Sequence, residues 1–197
     1  QDMKSIFGKI ISIDIKTKDF EIISMGHRNP QGLFYDFKNN ILINTEHGPK
    51  GGDEININNL TGDIPNFGWP ISSYGERYNA ERQKEKPPKK SHKKYGFKEP
   101  IKFYTPSIAI SQIIKSPVNY KKKSNNYFYV SSMGNKIEEG DLSIHHLGFD
   151  KKYKKIIFNE IIPIGFRLRD LIYNNKNNKT FLILENISAI GVLSRSD

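Results

Sequence analysis

The sequence predicts an all-β protein, and three observations support this fold class. Short runs rich in Ile, Val, Phe and Tyr recur along the chain, and each run is bounded by Gly, Asn, Asp or Pro. No segment longer than a turn or two combines helical spacing of apolar residues with capping residues. The runs follow one another at hairpin spacing, which is typical of sandwiches, barrels and propellers.

The predicted strands are β-branched or aromatic runs that end at turn-forming residues. They cover residues 9–15, 20–24, 32–36, 41–45, 54–57, 108–114, 126–131, 142–149, 155–158, 170–173, 180–185 and 189–193. The first two strands form a hairpin across the polar residues 14–19. The third and fourth turn at residues 38–40, and the tenth and eleventh turn at the Asn-rich residues 174–178.

Two of these hairpins resemble each other, which favours a propeller over the other β architectures. An Arg-bearing segment leads into the first strand of each hairpin, with Arg28 in one and Arg167 and Arg169 in the other. The second strands end at Glu46 and Glu185. Weak self-similarity of this kind indicates repeated blades, and the arginines would then face a common central channel.

Residues 71–101 differ from the rest of the chain. This segment is highly charged, has no hydrophobic period and contains Pro87-Pro88. We expect an exposed excursion at the rim of a single domain covering residues 1–197, because strands of the same type resume after it.

Composition narrows the classes of function. The chain has 197 residues and no Cys, which excludes disulfides and thiolate metal sites. No apolar run approaches the roughly 20 residues of a membrane-spanning helix. The net charge is +10, but the basic clusters at 84–94, 121–123, 151–155 and 176–179 lie in connections without interleaved aromatic residues. Solvated loops are therefore favoured over a nucleic-acid partner, with an anionic partner as the alternative.

Several motifs resemble the soluble PQQ-dependent glucose/sorbosone (aldose sugar) dehydrogenase family of six-bladed β-propellers. They are GHRNPQGL at 26–33, EHGPKGGDEIN at 46–56, NFGWP at 66–70, TPSIA at 105–109, the strand at 127–133 and RLRDL at 167–171. The resemblance covers nearly the whole chain in the same order. It implies part of a six-bladed propeller, with about three blades of four antiparallel strands.

The resemblance also implies a function. The complete protein would be a quinoprotein that oxidises the C1 hydroxyl of an aldose or related sugar with pyrroloquinoline quinone (PQQ) and Ca²⁺, and passes electrons to an external acceptor. Residues implied to bind the cofactor are Arg28, Asn29, Arg167 and Arg169, which offer forked cations and an amide to an anionic ring system. Ca²⁺ would be held by the backbone carbonyls of Gly48 and Pro49, and Glu54 could hold a second Ca²⁺.

Other residues of these motifs leave alternatives open. His47 could contact substrate or hydrogen-bond to the backbone of a turn. Asp170 is expected to be structural, paired with an Arg or capping a turn. His145 and His146 would point to opposite faces of a strand and are also interpreted as structural.

The chain also departs from the family pattern. The general-base His of the family lies on an earlier blade, and residues 1–25 contain no His. We therefore expect this chain to be the C-terminal half of a dehydrogenase whose catalytic base lies upstream. Thr105 stands where the family often has an aromatic residue, and Lys136 is displaced by about two residues from a family Lys position.

These departures keep a second hypothesis open, a non-catalytic β-propeller binding module of the same superfamily. For the dehydrogenase, the resemblance implies a periplasmic or secreted location.

Overall fold

The computed structural model describes residues 1–117 and 126–194, so the basic cluster at 121–123 lies outside the described residues. The described residues are almost entirely β-strand and connection. The strands are β1 (Lys9–Ile13), β2 (Phe20–Met25), β3 (Pro30–Asp36), β4 (Ile41–Glu46), β5 (Asp53–Asn59), β6 (Lys102–Tyr104), β7 (Ile110–Lys115), β8 (Asn126–Ser132), β9 (Ser143–Phe149), β10 (Ile156–Pro163), β11 (Leu168–Asn174), β12 (Lys179–Leu184) and β13 (Ala189–Ser194). The prediction of an all-β protein is confirmed.

The strands form four antiparallel sheets in which each strand pairs with its neighbours in sequence. The sheets are β1-β2, β3-β4-β5-β6, β7-β8-β9-β10 and β11-β12-β13. Sequential four-stranded meanders are the blades of a propeller. The number of strands thus matches the prediction of about three blades of four strands. In chain order, the sheets have two, four, four and three strands.

The predicted likeness between two hairpins is confirmed in detail. The β3–β4 and β11–β12 pairs each carry a register shift after the first paired residue. Tyr35 donates its hydroxyl to Asn40 Oδ1 (2.7 Å), and Tyr173 donates to Asn178 Oδ1 (2.9 Å). Both Asn residues have positive φ, a conformation that Asn adopts more readily than most residues. These two hairpins are therefore equivalent parts of repeated blades.

Two hydrophobic clusters hold neighbouring sheets together. The first lies between the β3–β6 and β7–β10 sheets and includes Ile43, Ile55 and Phe128, all fully buried. The second lies between the β7–β10 and β11–β13 sheets and includes Ile144 and Leu168. The three sheets therefore stack face to face, and their first strands lie side by side.

Buried hydroxyl groups connect these three sheets. Thr45 donates to the carbonyl of Ser111, and Ser111 in turn donates to the carbonyl of Leu168. All three residues are fully buried or nearly so. Because polar groups buried without partners are costly, these bonds fix the relative position of three sheets.

The segment 71–101 is more ordered than its composition suggests. It contains helix α1 (Ala80–Glu85), capped by the Asn79 side chain, and a short 3₁₀ turn at His92–Tyr95. His92 is only 1% exposed, and Nδ1 of its ring donates to the Phe67 carbonyl (2.8 Å). His92 therefore differs from the exposed excursion predicted for this segment, and its burial holds the segment against the domain.

Strand β6 was not predicted, because three residues are too few to show alternation. Across the described residues, no helix has the length and apolar character that crossing a membrane requires.

Candidate active site

The centre of the site is the sharp corner that joins β4 to β5, residues 47–52. Gly48 and Pro49 are both buried, and the Gly48 N–H donates to Asp53 Oδ1 (3.0 Å). A Cβ on Gly48 would lie 2.2 Å from the Gly51 carbonyl oxygen and 2.3 Å from that of Gly52. Only glycine fits at this position, because the corner folds back on its own backbone.

The Asp53 side chain fixes this corner through hydrogen bonds. Its Oδ1 also accepts from Ser107 Oγ (2.6 Å), and its Oδ2 accepts from the Ile110 N–H (3.0 Å). With three donors on a side chain that is 1% exposed, Asp53 is a structural residue that joins two blades.

A buried chain of hydrogen bonds supports the turn that carries Arg28. Ser24 Oγ lies 2.7 Å from His27 Nε2, and His27 Nδ1 lies 2.8 Å from Glu46 Oε1. The other oxygen of Glu46 accepts from the backbone N–H of Arg28 (2.7 Å). This order of groups is that of a hydrolase triad, but Ser24 has no exposed surface, so no substrate could reach it. This series of hydrogen bonds therefore positions the backbone of Arg28.

The Arg28 guanidinium has only uncharged partners. It donates to the His47 carbonyl (3.2 Å) and lies over the rings of Trp69 (5.5 Å) and Tyr78 (5.9 Å). Among the residues that the structure describes, no carboxylate lies within 4.0 Å of it. A half-buried cation without a counter-ion is suited to bind an anionic ligand.

The three other predicted cofactor residues belong to one hydrogen-bonded chain across two blades. Asn29 Oδ1 accepts from Gln31 Nε2 (3.0 Å), and Arg169 donates to Gln31 Oε1 (3.4 Å). Arg169 also pairs with Glu185, whose second oxygen accepts from Arg167 Nε (2.9 Å). The structure thus brings Asn29, Arg167 and Arg169 together.

Arg28 joins this chain through the backbone. Its partner His47 donates a backbone N–H to the Asn29 carbonyl (3.0 Å), and the next residue is Gly48 of the corner. His47 Nε2 donates to the Ile110 carbonyl (2.6 Å), which is the backbone-bonded alternative expected for this residue. All predicted cofactor residues and the corner therefore lie at one end of the sheets.

The contacts of Glu54 do not support the predicted second calcium site. Glu54 is buried, and its Oε1 lies 3.3 Å from His92 Nε2. Burial raises the pKa of the Glu54 carboxyl, which opposes the charged form that a calcium ligand needs. Within 1–117 and 126–194, no group of three or more His, Cys, Asp and Glu residues could hold a metal ion. That site remains a prediction without a supporting ligand set.

Two departures from the family pattern are visible in the structure. Thr105 is exposed near Gly51 and places no aromatic ring beside the corner. Lys136 is 61% exposed and donates to Glu139 Oε1 (2.7 Å), and this hydrogen bond raises the pKa of the Lys136 ammonium. Lys136 is therefore held on the surface by Glu139. At the nearby Gly134, a Cβ would lie 1.9 Å from the Asp141 carboxylate, so a larger residue does not fit there.

The structure also shows the contacts of Asp170, His145 and His146, which the sequence predicted to be structural. Asp170 is structural as predicted, but its partners are Gln112 Nε2 (3.0 Å) and a backbone N–H rather than an Arg. His145 is buried and its Nε2 donates to the Gly140 carbonyl (2.8 Å), which confirms its structural role. His146 is also buried and lies 3.4 Å from Glu160.

Sequence reasoning missed the residues that hold the predicted site in place. The sequence marks Gln31 only as part of a motif and Glu185 only as a strand end, yet both bond directly to Arg169. Ser24 and His27 were not assigned a role. The spacing of Ser24 to His27 carries no distinctive signal, because the partner Glu46 comes from another strand.

The site fits an anionic cofactor with an oxygen-ligated cation. In the described part of the chain, no donor bonds to the carbonyl oxygens of Gly48 and Pro49, although both residues are buried. Ca²⁺ accepts such carbonyl ligands, and the nearby guanidinium groups suit carboxylates and quinone oxygens. The residues present are therefore compatible with PQQ and Ca²⁺.

Comparison with known proteins agrees with this geometry. The family profile described as Glucose / Sorbosone dehydrogenase matches residues 1–189. The aldose sugar dehydrogenase YliI of Escherichia coli is 38% identical over 91 residues, which are 46% of this chain and 23% of that protein. The quinoprotein glucose dehydrogenase B of Acinetobacter calcoaceticus is 47% identical over 49 residues, which are 25% of this chain and 9% of that protein.

A solved structure supports the fold. The soluble aldose sugar dehydrogenase of Escherichia coli in its apo form superposes with a TM-score of 0.73 at 22% identity. The match covers 99% of this chain and 57% of that chain. This chain therefore spans a little over half of the length of that protein.

Proposed function

This chain belongs to the glucose/sorbosone dehydrogenase family, and we propose on that basis that it supplies the cofactor-binding half of a PQQ- and Ca²⁺-dependent sugar dehydrogenase. The substrate would be an aldose or related sugar oxidised at its C1 hydroxyl, with an external electron acceptor. The observation that carries the proposal is the Arg28 guanidinium beside the Gly48–Pro49 corner, where the described residues supply neither a carboxylate for the cation nor a donor for the two carbonyls.

Each residue has a physical role in this proposal. Arg28, Arg167 and Arg169 bind carboxylate and quinone oxygens, because guanidinium groups are permanently charged forks. Asn29 offers an amide at the rim of the ring system. Gly48 and Pro49 hold Ca²⁺ through their carbonyls, and Asp53 keeps the corner in the shape that directs these carbonyls to the ion. When bound, PQQ supplies an ortho-quinone that accepts hydride from the sugar C1, and Ca²⁺ polarises it.

The proton acceptor of this reaction is proposed to lie outside the chain. The sequence has five His residues, and four of them are buried. The remaining one, His47, is oriented by the Ile110 carbonyl. The proposal therefore assigns the general base to a His upstream of residue 1 in the complete protein, which would be periplasmic or secreted.

The experiment adds PQQ and CaCl₂ to the full-length protein and measures dye reduction with a panel of aldoses. Activity that requires both additions supports the proposal. Binding of PQQ without turnover of any aldose would support the cofactor site but contradict the sugar dehydrogenase activity. Absence of both binding and activity would contradict the whole proposal.

A second candidate function is a non-catalytic propeller that keeps the scaffold. Two observations favour it: no aromatic ring stands at Thr105, and Lys136 is held by Glu139 on the surface. In the experiment above, this candidate predicts neither PQQ binding nor dye reduction.

A further inference from the structure

We infer that Glu185 is a positioning residue that presets Arg167 and Arg169 for an anionic ligand. The inference rests on the proposed function, because the ligand it names is PQQ. It adds a carboxylate to a site that was otherwise described by its cations and carbonyls.

The geometry of Glu185 is unusual for a surface carboxylate. Its Oε2 accepts from Arg167 Nε at 2.9 Å, and its Oε1 accepts from Arg169 Nη2. The Glu185 backbone N–H also donates to the Arg167 carbonyl (2.9 Å). A single carboxylate therefore bridges two guanidinium groups and is itself tied to the strand that carries them.

Each arginine has a further contact that fixes the other end of its guanidinium. Arg167 Nη1 donates to the Met133 carbonyl and lies 3.4 Å from Asn135 Oδ1, both on the neighbouring blade. Arg169 Nη1 donates to Gln31 (3.4 Å) on a third blade. Within the described residues, Arg167 Nη2 and Arg169 Nε have no partner and remain available to a ligand.

Charge explains why this carboxylate matters. Two guanidinium groups near each other repel, and without a bridging anion they would separate and lose their shared orientation. Glu185 leaves the trio with one net positive charge while holding both forks in place. The hydrogen bonds from Arg169 and Arg167 lower the pKa of Glu185, so the bridge is ionised at neutral pH.

Two roles for Glu185 predict opposite results. If it presets the arginines, its removal weakens PQQ binding even though the site becomes more positive. If it merely screens them, its removal tightens PQQ binding. All three side chains are between 32% and 44% exposed, so neither substitution removes a core residue.

The experiment measures the Kd for PQQ in CaCl₂ with the full-length protein and its Glu185→Ala and Glu185→Gln variants. We expect Glu185→Ala to weaken PQQ binding by about tenfold or more, since charge-assisted hydrogen bonds orient the forks. Glu185→Gln should fall between Glu185→Ala and wild type, because its amide oxygen still accepts from one arginine. Glu21→Gln is the matched control, since it removes the same charge from an exposed position on β2, for which the described residues show no ion pair, and should leave the Kd unchanged.

A second readout does not use PQQ. In ¹H–¹⁵N spectra of arginine side chains, the Arg167 Nε–H signal should be protected from exchange in wild type and lose protection in Glu185→Ala. Equal or tighter PQQ binding by Glu185→Ala, or an unchanged Arg167 signal, would overturn the inference. If wild type binds no PQQ, the proposed function and the ligand named here both fall, and the arginine spectra show separately whether Glu185 holds the forks.

Discussion

Replacement of Gly48 by Ala tests whether the β4–β5 corner determines the site. The new Cβ would lie 2.2–2.4 Å from backbone atoms of Gly51 and Gly52, well inside the 3.4–4 Å of ordinary van der Waals contact. These neighbours are main-chain atoms of the same tight corner, so they cannot swing aside as a side chain would. The corner itself must move, and with it the carbonyls of Gly48 and Pro49.

The energetic cost of this change follows from the overlap. Overpacking in a well-packed region costs about 1–3 kcal/mol, and a conflict with backbone atoms belongs at the upper end of that range. Gly48 does not have positive φ, so backbone strain adds nothing. Replacing Gly by Ala also restricts the unfolded chain, which offsets about 0.4–1 kcal/mol. We expect the free energy of unfolding to fall by about 2–2.6 kcal/mol.

The assay is urea unfolding of the full-length protein followed by circular dichroism, together with calcium-dependent PQQ binding. Gly191→Ala is the matched control, because it lies in β13 and its Cβ would meet only side-chain atoms of Leu184 and Leu182 at 3.3–3.5 Å. The reasoning is refuted if Gly48→Ala unfolds like Gly191→Ala and binds PQQ as wild type does.

Three further predictions concern the scaffold. Ser24→Ala should lower the free energy of unfolding by about 1–3 kcal/mol in urea titrations, because it leaves the buried His27 Nε2 without its partner. Burial lowers the pKa of His145, although the Gly140 carbonyl and Asp141 act in the opposite direction. The unfolded state therefore binds a proton at this residue more readily than the folded state does. The stability measured by thermal unfolding should fall as the pH drops below 6.5. Residues 1–197 expressed alone should self-associate in sedimentation experiments, because the β11–β13 sheet exposes a row of large apolar side chains.

Each of these predictions has its own control. Ser12→Ala, on β1, should leave stability unchanged, and equal effects at Ser12 and Ser24 would contradict the first prediction. His145→Gln should flatten the slope of stability between pH 6.5 and 5, and an unchanged slope would assign the slope to another group, such as His146, whose pKa burial also lowers. A monomeric chain with one cooperative urea transition would contradict the third prediction.

Much of the fold could be read from the sequence because blades are built from local hairpins. Within each of the Tyr35–Asn40 and Tyr173–Asn178 turns, the two bonded residues are only five positions apart, so the likeness of the turns is visible in the sequence. The position of Gly48-Pro49 at a strand end was equally visible. Helix α1 and β6 were missed because each is too short to show a period.

The sequence alone determined the strand rhythm, the resemblance to the family and the residue types of the candidate site. Only the tertiary structure decided their partners, because those partners come from different blades. Among the described residues, Arg28 differs from Arg167 and Arg169 in that no carboxylate lies within 4.0 Å of its guanidinium. That difference depends on Glu185, which lies close to Arg167 and Arg169 only once β11 and β12 pair. The sequence does not show this difference among the three arginines, because charge compensation depends on distances in space. Residue type and strand period, in contrast, are local properties of the chain.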